Sequence, residues 1–106
     1  MKKKLTTSGN GWILYFSKPL LKLLGYNPKE TKVLITVKMK TLYIEEIKPE
    51  NLEKYSNKMI RRFQKNGSSY GLYFPNPIMD ILEINPETDF LDIEIDENKL
   101  SVTKAN

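Results

Sequence analysis

An internal repeat constrains this chain more than any other feature. Residues 1–48 lie on residues 59–106 at a constant offset of 58, without a gap. Eleven of the 48 positions are identical, among them Gly9/Gly67, Leu14/Leu72, Tyr15/Tyr73, Phe16/Phe74, Pro19/Pro77, Leu24/Leu82 and the Asn27-Pro28/Asn85-Pro86 dipeptides. Ordinary composition gives roughly three or four by chance. Other pairs match in kind: Trp12/Tyr70, Val33/Leu91, Val37/Ile95. A unit of this size buries too little surface to stand alone. The two copies are therefore expected to fold on each other, and the joint at 49–58 makes that pairing intramolecular.

Each copy reads as ββαββ. A first strand is expected near Lys3–Thr6, with its counterpart near Arg61–Gln64. Turn formers follow, Ser8-Gly9-Asn10-Gly11 and Asn66-Gly67-Ser68-Ser69. A second strand runs Ile13–Phe16 and Gly71–Phe74; its period-2 pattern sets Leu14 and Phe16 on one face and Tyr15 on the other. Pro19 and Pro77 open short apolar helices, since the first helical position needs no N–H. Asn27-Pro28 and Asn85-Pro86 end them, because the residue before proline is pushed off the helical region. The hairpins Val33–Val37 with Leu42–Ile47, and Leu91–Ile95 with Leu100–Thr103, complete the units. Residues 49–58 read as a loop or one short helix carrying Leu52 and Tyr55. The expected architecture is mostly β with short helices, a pseudo-twofold β-barrel or sandwich built by one chain.

Composition narrows the chemistry. The 106 residues suit one compact unit, and a 40% hydrophobic share is enough for a core. There is no cysteine and no histidine, which removes disulfides, thiolate metal sites and Ser-His-Asp or Cys-His catalysis. Neither a cofactor nor an enzymatic activity is expected. No apolar run approaches the roughly 20 residues of a membrane span. No long apolar stretch follows Lys2-Lys3-Lys4, as a secretory signal requires. A cytoplasmic protein without membrane partners is the expectation.

The order of these motifs resembles the SpoVT/AbrB family of swapped-hairpin DNA-binding proteins, in particular the DNA-binding part of MazE-type antitoxins. Those proteins have a G-N-S-x-x-V-R-I-P stretch, a short helix ending in L-G-[IL], and then two strands. The first copy carries Gly9-Asn10 and the helix end Leu24-Gly25; the second carries Phe74-Pro75 at the I-P step. The first copy departs with Phe16-Ser17, the second with Gly67-Ser68 and Leu82-Glu83. Tyr15 and Tyr73 stand where the family has an outward Arg. The resemblance implies one pseudo-twofold swapped-hairpin β-barrel, with repeat 1 at 1–48 and repeat 2 at 59–106 doing the work of two chains. It implies a small DNA-binding transcriptional regulator whose first strands and turns sit on duplex DNA.

Charge agrees in direction. The formal net charge is +4. Repeat 1 carries ten Lys and three Glu; repeat 2 carries five basic and eight acidic residues, all eight from Asp80 to Glu97. A pseudo-twofold is expected to bring the basic first strands together, as phosphate contact requires. The candidate DNA contacts are Lys2, Lys3, Lys4, Arg61, Arg62 and Lys65 for phosphates, the Arg residues offering a bidentate fork. Thr7, Asn10, Asn66 and Ser68 at the turns, with the outward Tyr15 and Tyr73, are candidates for groove edges. Self-stabilised turns and cross-strand tyrosine packing explain the same residues without DNA. The alternative function is a protein-interaction module, antitoxin-like or other, that has lost most DNA affinity and meets a basic partner through the acidic second hairpin. Exposed outer strands leave open a homodimer of the pseudo-dimer.

Overall fold

The computed structural model describes residues 1–9 and 11–105, and of Ser8 and Lys58 the backbone only. The elements recur at the offset of the sequence repeat. In the first half they are β1 (Lys2–Lys3), β2 (Thr6–Ser8), β3 (Gly11–Ser17), α1 (Lys18–Leu24), β4 (Lys32–Lys38) and β5 (Thr41–Ile47). In the second half they are β6 (Ile60–Arg62), β7 (Gln64–Asn66), β8 (Ser69–Pro75), α2 (Asn76–Leu82), β9 (Leu91–Asp96) and β10 (Lys99–Lys104). Two 3-10 turns, Pro49–Lys54 and Asn57–Met59, form the joint.

The strands build two antiparallel sheets, one of six in the order β1-β9-β10-β5-β4-β6 and one of four in the order β2-β3-β8-β7. Every shared boundary is between copies: β3 pairs with β8, β5 with β10, β1 with β9 and β6 with β4. The registers obey one twofold. Leu14 lies opposite its own copy Leu72 in the smaller sheet, and Tyr43 opposite its copy Ser101 in the larger. Strands crossing a twofold must show this self-pairing. Between the sheets lies one core, in which Leu14, Phe16, Leu72, Phe74, Ile44 and Leu100 are fully buried.

The structure departs from the sequence reading at two places. The expected first strand is not continuous: β1 belongs to the six-stranded sheet and β2 to the four-stranded one, as do β6 and β7. Leu5 and Phe63, at the same place in each copy, are buried at these crossings. An apolar side chain drawn into the core turns the chain from one sheet to the other. Nor do the strands close into one barrel. Both sheets keep edges, formed by strands of two or three residues that give another chain little to pair with.

Helix ends differ between copies. The Ser17 hydroxyl accepts a hydrogen bond from the Leu20 N–H, and Gly25 closes α1 in the left-handed region at φ 77°. The same place in α2 has Pro75, with no side-chain cap, and Glu83 forced to φ 57°. A side chain there costs about 1 kcal/mol relative to glycine.

Candidate nucleic-acid interface

The outer face of the four-stranded sheet is neutral. Cross-strand rows Thr6–Ile13–Tyr73 and Tyr15–Gly71–Gln64 alternate with the core-facing row through Leu14 and Leu72. Both tyrosines lie on this face, as expected, and both are half-buried. The Tyr73 ring covers Gly11 so closely that a Cβ there would stand 2.5 Å from it, and a Cβ on Gly71 would stand 2.4 Å from the Ile13 methyl. The Tyr15 hydroxyl accepts from the Asn66 amide at 2.8 Å. Cross-strand packing accounts for these rings.

The first-strand cations are not brought together. β1 and β6 end the six-stranded sheet at opposite edges, because each pairs with the hairpin of the other copy. Lys3 and Arg61, equivalent residues, turn inward: the Lys3 ammonium donates to the Tyr15 carbonyl at 2.9 Å, and the Arg61 Nε to the Tyr73 carbonyl at 3.2 Å. These bonds satisfy strand carbonyls that the departing chain leaves open. Lys2 is exposed opposite Asp92, and Lys4 sits 5.7 Å from the Phe90 ring centroid. Thr7, Asn66 and Ser68 are exposed at the turns. Asn10 lies outside the described residues.

What the fold does assemble is a cationic seam at one end of the smaller sheet. Arg62 and Lys65, on β6 and β7, line a cleft of about 380 Å³ with Lys29, Lys32 and Tyr70. A second cleft shares Lys65 and Tyr70 and extends past Gly67 and Ser68 to Lys18. Among the described residues, none of these five cations has a carboxylate within ion-pair distance. Of the described residues, Glu30 is the one carboxylate lining these two clefts. Sequence reasoning picked out Arg62 and Lys65 but missed Lys29, Lys32 and Lys18. Lys32 joins because β4 pairs with β6, setting Lys32 opposite Arg62. Lys29 follows the Asn27-Pro28 turn, whose Asn27 Oδ1 accepts from the Lys29 N–H at 3.1 Å.

The same seam in the other copy is not cationic. Thr7, Asn76 and Glu87 line its cleft where Lys65, Lys18 and Lys29 line the first. The backbone device is unchanged: Asn85 Oδ1 accepts from the Glu87 N–H at 3.1 Å. Thr31 Oγ1 accepts from the Asn27 N–H in one copy, and Asp89 Oδ2 accepts from the Asn85 N–H in the other. That N–H, with Lys104 beside it, holds the Asp89 carboxyl below the usual range.

Elsewhere the surface offers less. Another cleft, of about 470 Å³, mixes Glu30 and Glu46 with Lys32 and Lys48. Among the described residues no group of three or more carboxylates is placed to hold a metal. No helix among the described residues is long and apolar enough to cross a membrane. The seam can hold an anionic chain by charge, with hydroxyl and amide donors at its turn. Protein-family models, curated proteins and solved structures yield no match to this chain.

Proposed function

We propose that the protein is a small DNA-binding regulator of the swapped-hairpin, SpoVT/AbrB-like kind, in which two repeats of one chain replace two chains. The self-pairing of Leu14 with Leu72 and of Tyr43 with Ser101, and the exchange of β1 and β6 between hairpins, support that architecture. Binding is passive and electrostatic. Lys18, Lys29, Lys32, Arg62 and Lys65 neutralise phosphates, while Asn66 and Ser68 at the adjacent turn meet groove edges. Strand-based readers of DNA are an established docking mode. Such a role places the protein in the cytoplasm.

The observation that carries this reading is the run of five cations that, among the described residues, have no carboxylate within ion-pair distance, beside an exposed polar turn. Charges left unpaired in this way are available to phosphates. Fluorescence anisotropy with mixed-sequence duplex DNA tests it. Binding is expected at about 50 mM salt, with a log–log salt slope of roughly −4 to −5 for about five phosphate contacts. No binding there would remove the DNA reading and favour an interaction module meeting a basic partner through Asp92, Glu94 and Asp96.

A further inference from the structure

We infer that the pseudo-dimer engages DNA from one end only, and so selects a non-palindromic duplex site. The inference rests on the DNA-binding reading and adds the symmetry of the target. A protein with true twofold symmetry presents two equal reading heads, and its operator mirrors that symmetry. Here the backbone keeps the twofold while the charges break it. Lys18, Lys29, Lys32, Arg62 and Lys65 at one end become Asn76, Glu87, Phe90, Lys4 and Thr7 at the other. Five cations are replaced by one cation, one carboxylate and three neutral residues. The capping residue changes the same way, from Thr31 to Asp89.

The two turns cannot share one patch of backbone. β3 and β8 run antiparallel in register over seven residues, so the Gly67-Ser68 turn lies at one end of the smaller sheet and the Gly9 turn at the other. Seven residues span about 20 Å, about two Debye lengths at physiological salt. Attraction at one end is thus not shared by the other, and Glu87 meets approaching phosphates with like charge. The Trp12 indole N–H is also taken at that end, donating to Asn76 Oδ1 at 3.0 Å.

The test compares equivalent substitutions at the two ends, read by anisotropy on a mixed-sequence duplex of about 20 bp. All the residues changed are at the surface, and far-UV circular dichroism with thermal melts checks that each variant folds. Lys29→Ala with Lys65→Ala is expected to weaken binding at least about tenfold at ~50 mM salt and to flatten the salt slope by about 2. Thr7→Ala with Glu87→Ala, the equivalent pair, is expected not to weaken it. Thr7→Lys with Glu87→Lys, which gives the second end the cations of the first at two equivalent positions, should tighten binding and steepen the slope by about 2. Selection from random duplexes should return a sequence without dyad symmetry. Equal losses from the two alanine pairs, or a palindromic consensus, would overturn the one-ended reading while leaving DNA binding intact. Absence of binding by the unaltered protein removes the DNA reading itself.

Discussion

The two ends of the four-stranded sheet share a backbone and differ in almost every charge. At one end Lys18 and Lys65 line the cleft at the Gly67-Ser68 turn and Lys29 the cleft adjoining it; at the other, Asn76, Glu87 and Thr7 line the cleft at the Gly9 turn. Inside, the copies agree: Leu14/Leu72, Phe16/Phe74, Leu24/Leu82, Ile35/Ile93 and Leu42/Leu100 are identical and buried. The difference teaches where the duplicated fold is held. Core positions lie at the seam between copies, where a change on one side must be met on the other. Exposed loop positions carry no such coupling, so charge can move to one end without touching the fold.

Core equivalence is the half of the comparison with the largest expected effect. Leu14→Ala and Leu72→Ala each remove a side chain with no exposure, from facing positions on the pseudo-twofold. Each should cost about 3 kcal/mol, and the two should agree within about 1 kcal/mol in chemical denaturation. A cost for one several-fold above the other would mean that the copies do not share the core evenly.

A smaller effect separates Tyr26 from its copy Ile84, both buried. The Tyr26 hydroxyl donates to the Asn98 carbonyl in the opposite hairpin turn. Burial, with Glu46 and Glu45 nearby, pushes its pKa up to about 12. A phenol that holds its proton more tightly folded than unfolded stabilises the fold fully below pH ~10, and that contribution is lost as pH rises from about 10 to 12. The loss is on the order of 2 kcal/mol. Tyr26→Phe should remove this alkaline decline from a pH series of melts; an unchanged decline would assign it to other groups.

The helix ends give the smallest effect. Glu83 occupies the left-handed position that Gly25 fills in α1, and its exposed ion pair with Lys40, which lowers its pKa, is worth little in water. Glu83→Gly should therefore stabilise the protein by about 0.5 kcal/mol in denaturant titrations, with no change at α1. A loss of stability would show that the Lys40 contact outweighs the backbone term.

Much of the fold was legible because the repeat copied local signals intact. The turn dipeptides, the Pro19 and Pro77 helix starts and the alternation in Ile13–Phe16 and Leu91–Ile95 each mark an element by short-range chemistry. The hairpin pairings were legible, but the partners of the first strands were not, since that pairing depends on contacts far apart in sequence. The first strands therefore read as neighbours, although β1 and β6 occupy opposite edges. The candidate site inherited that misplacement. Lys3 and Arg61 read as free cations, yet open carbonyls of Tyr15 and Tyr73 take them up. No local signal marks Lys29 or Lys32; the β4–β6 pairing sets Lys32 opposite Arg62, and Lys29 joins them with Lys65 in one cleft.

Amide chemical-shift mapping by NMR, with a mixed-sequence duplex added at low salt, tests the central claim most directly. Shifts confined to Lys18, Lys29, Lys32, Arg62 and the Lys65–Tyr70 turn, with Thr7, Trp12, Asn76 and Glu87 unmoved, are the predicted result. Shifts of equal size at both ends, or shifts centred on Asp92 and Glu94, would contradict it.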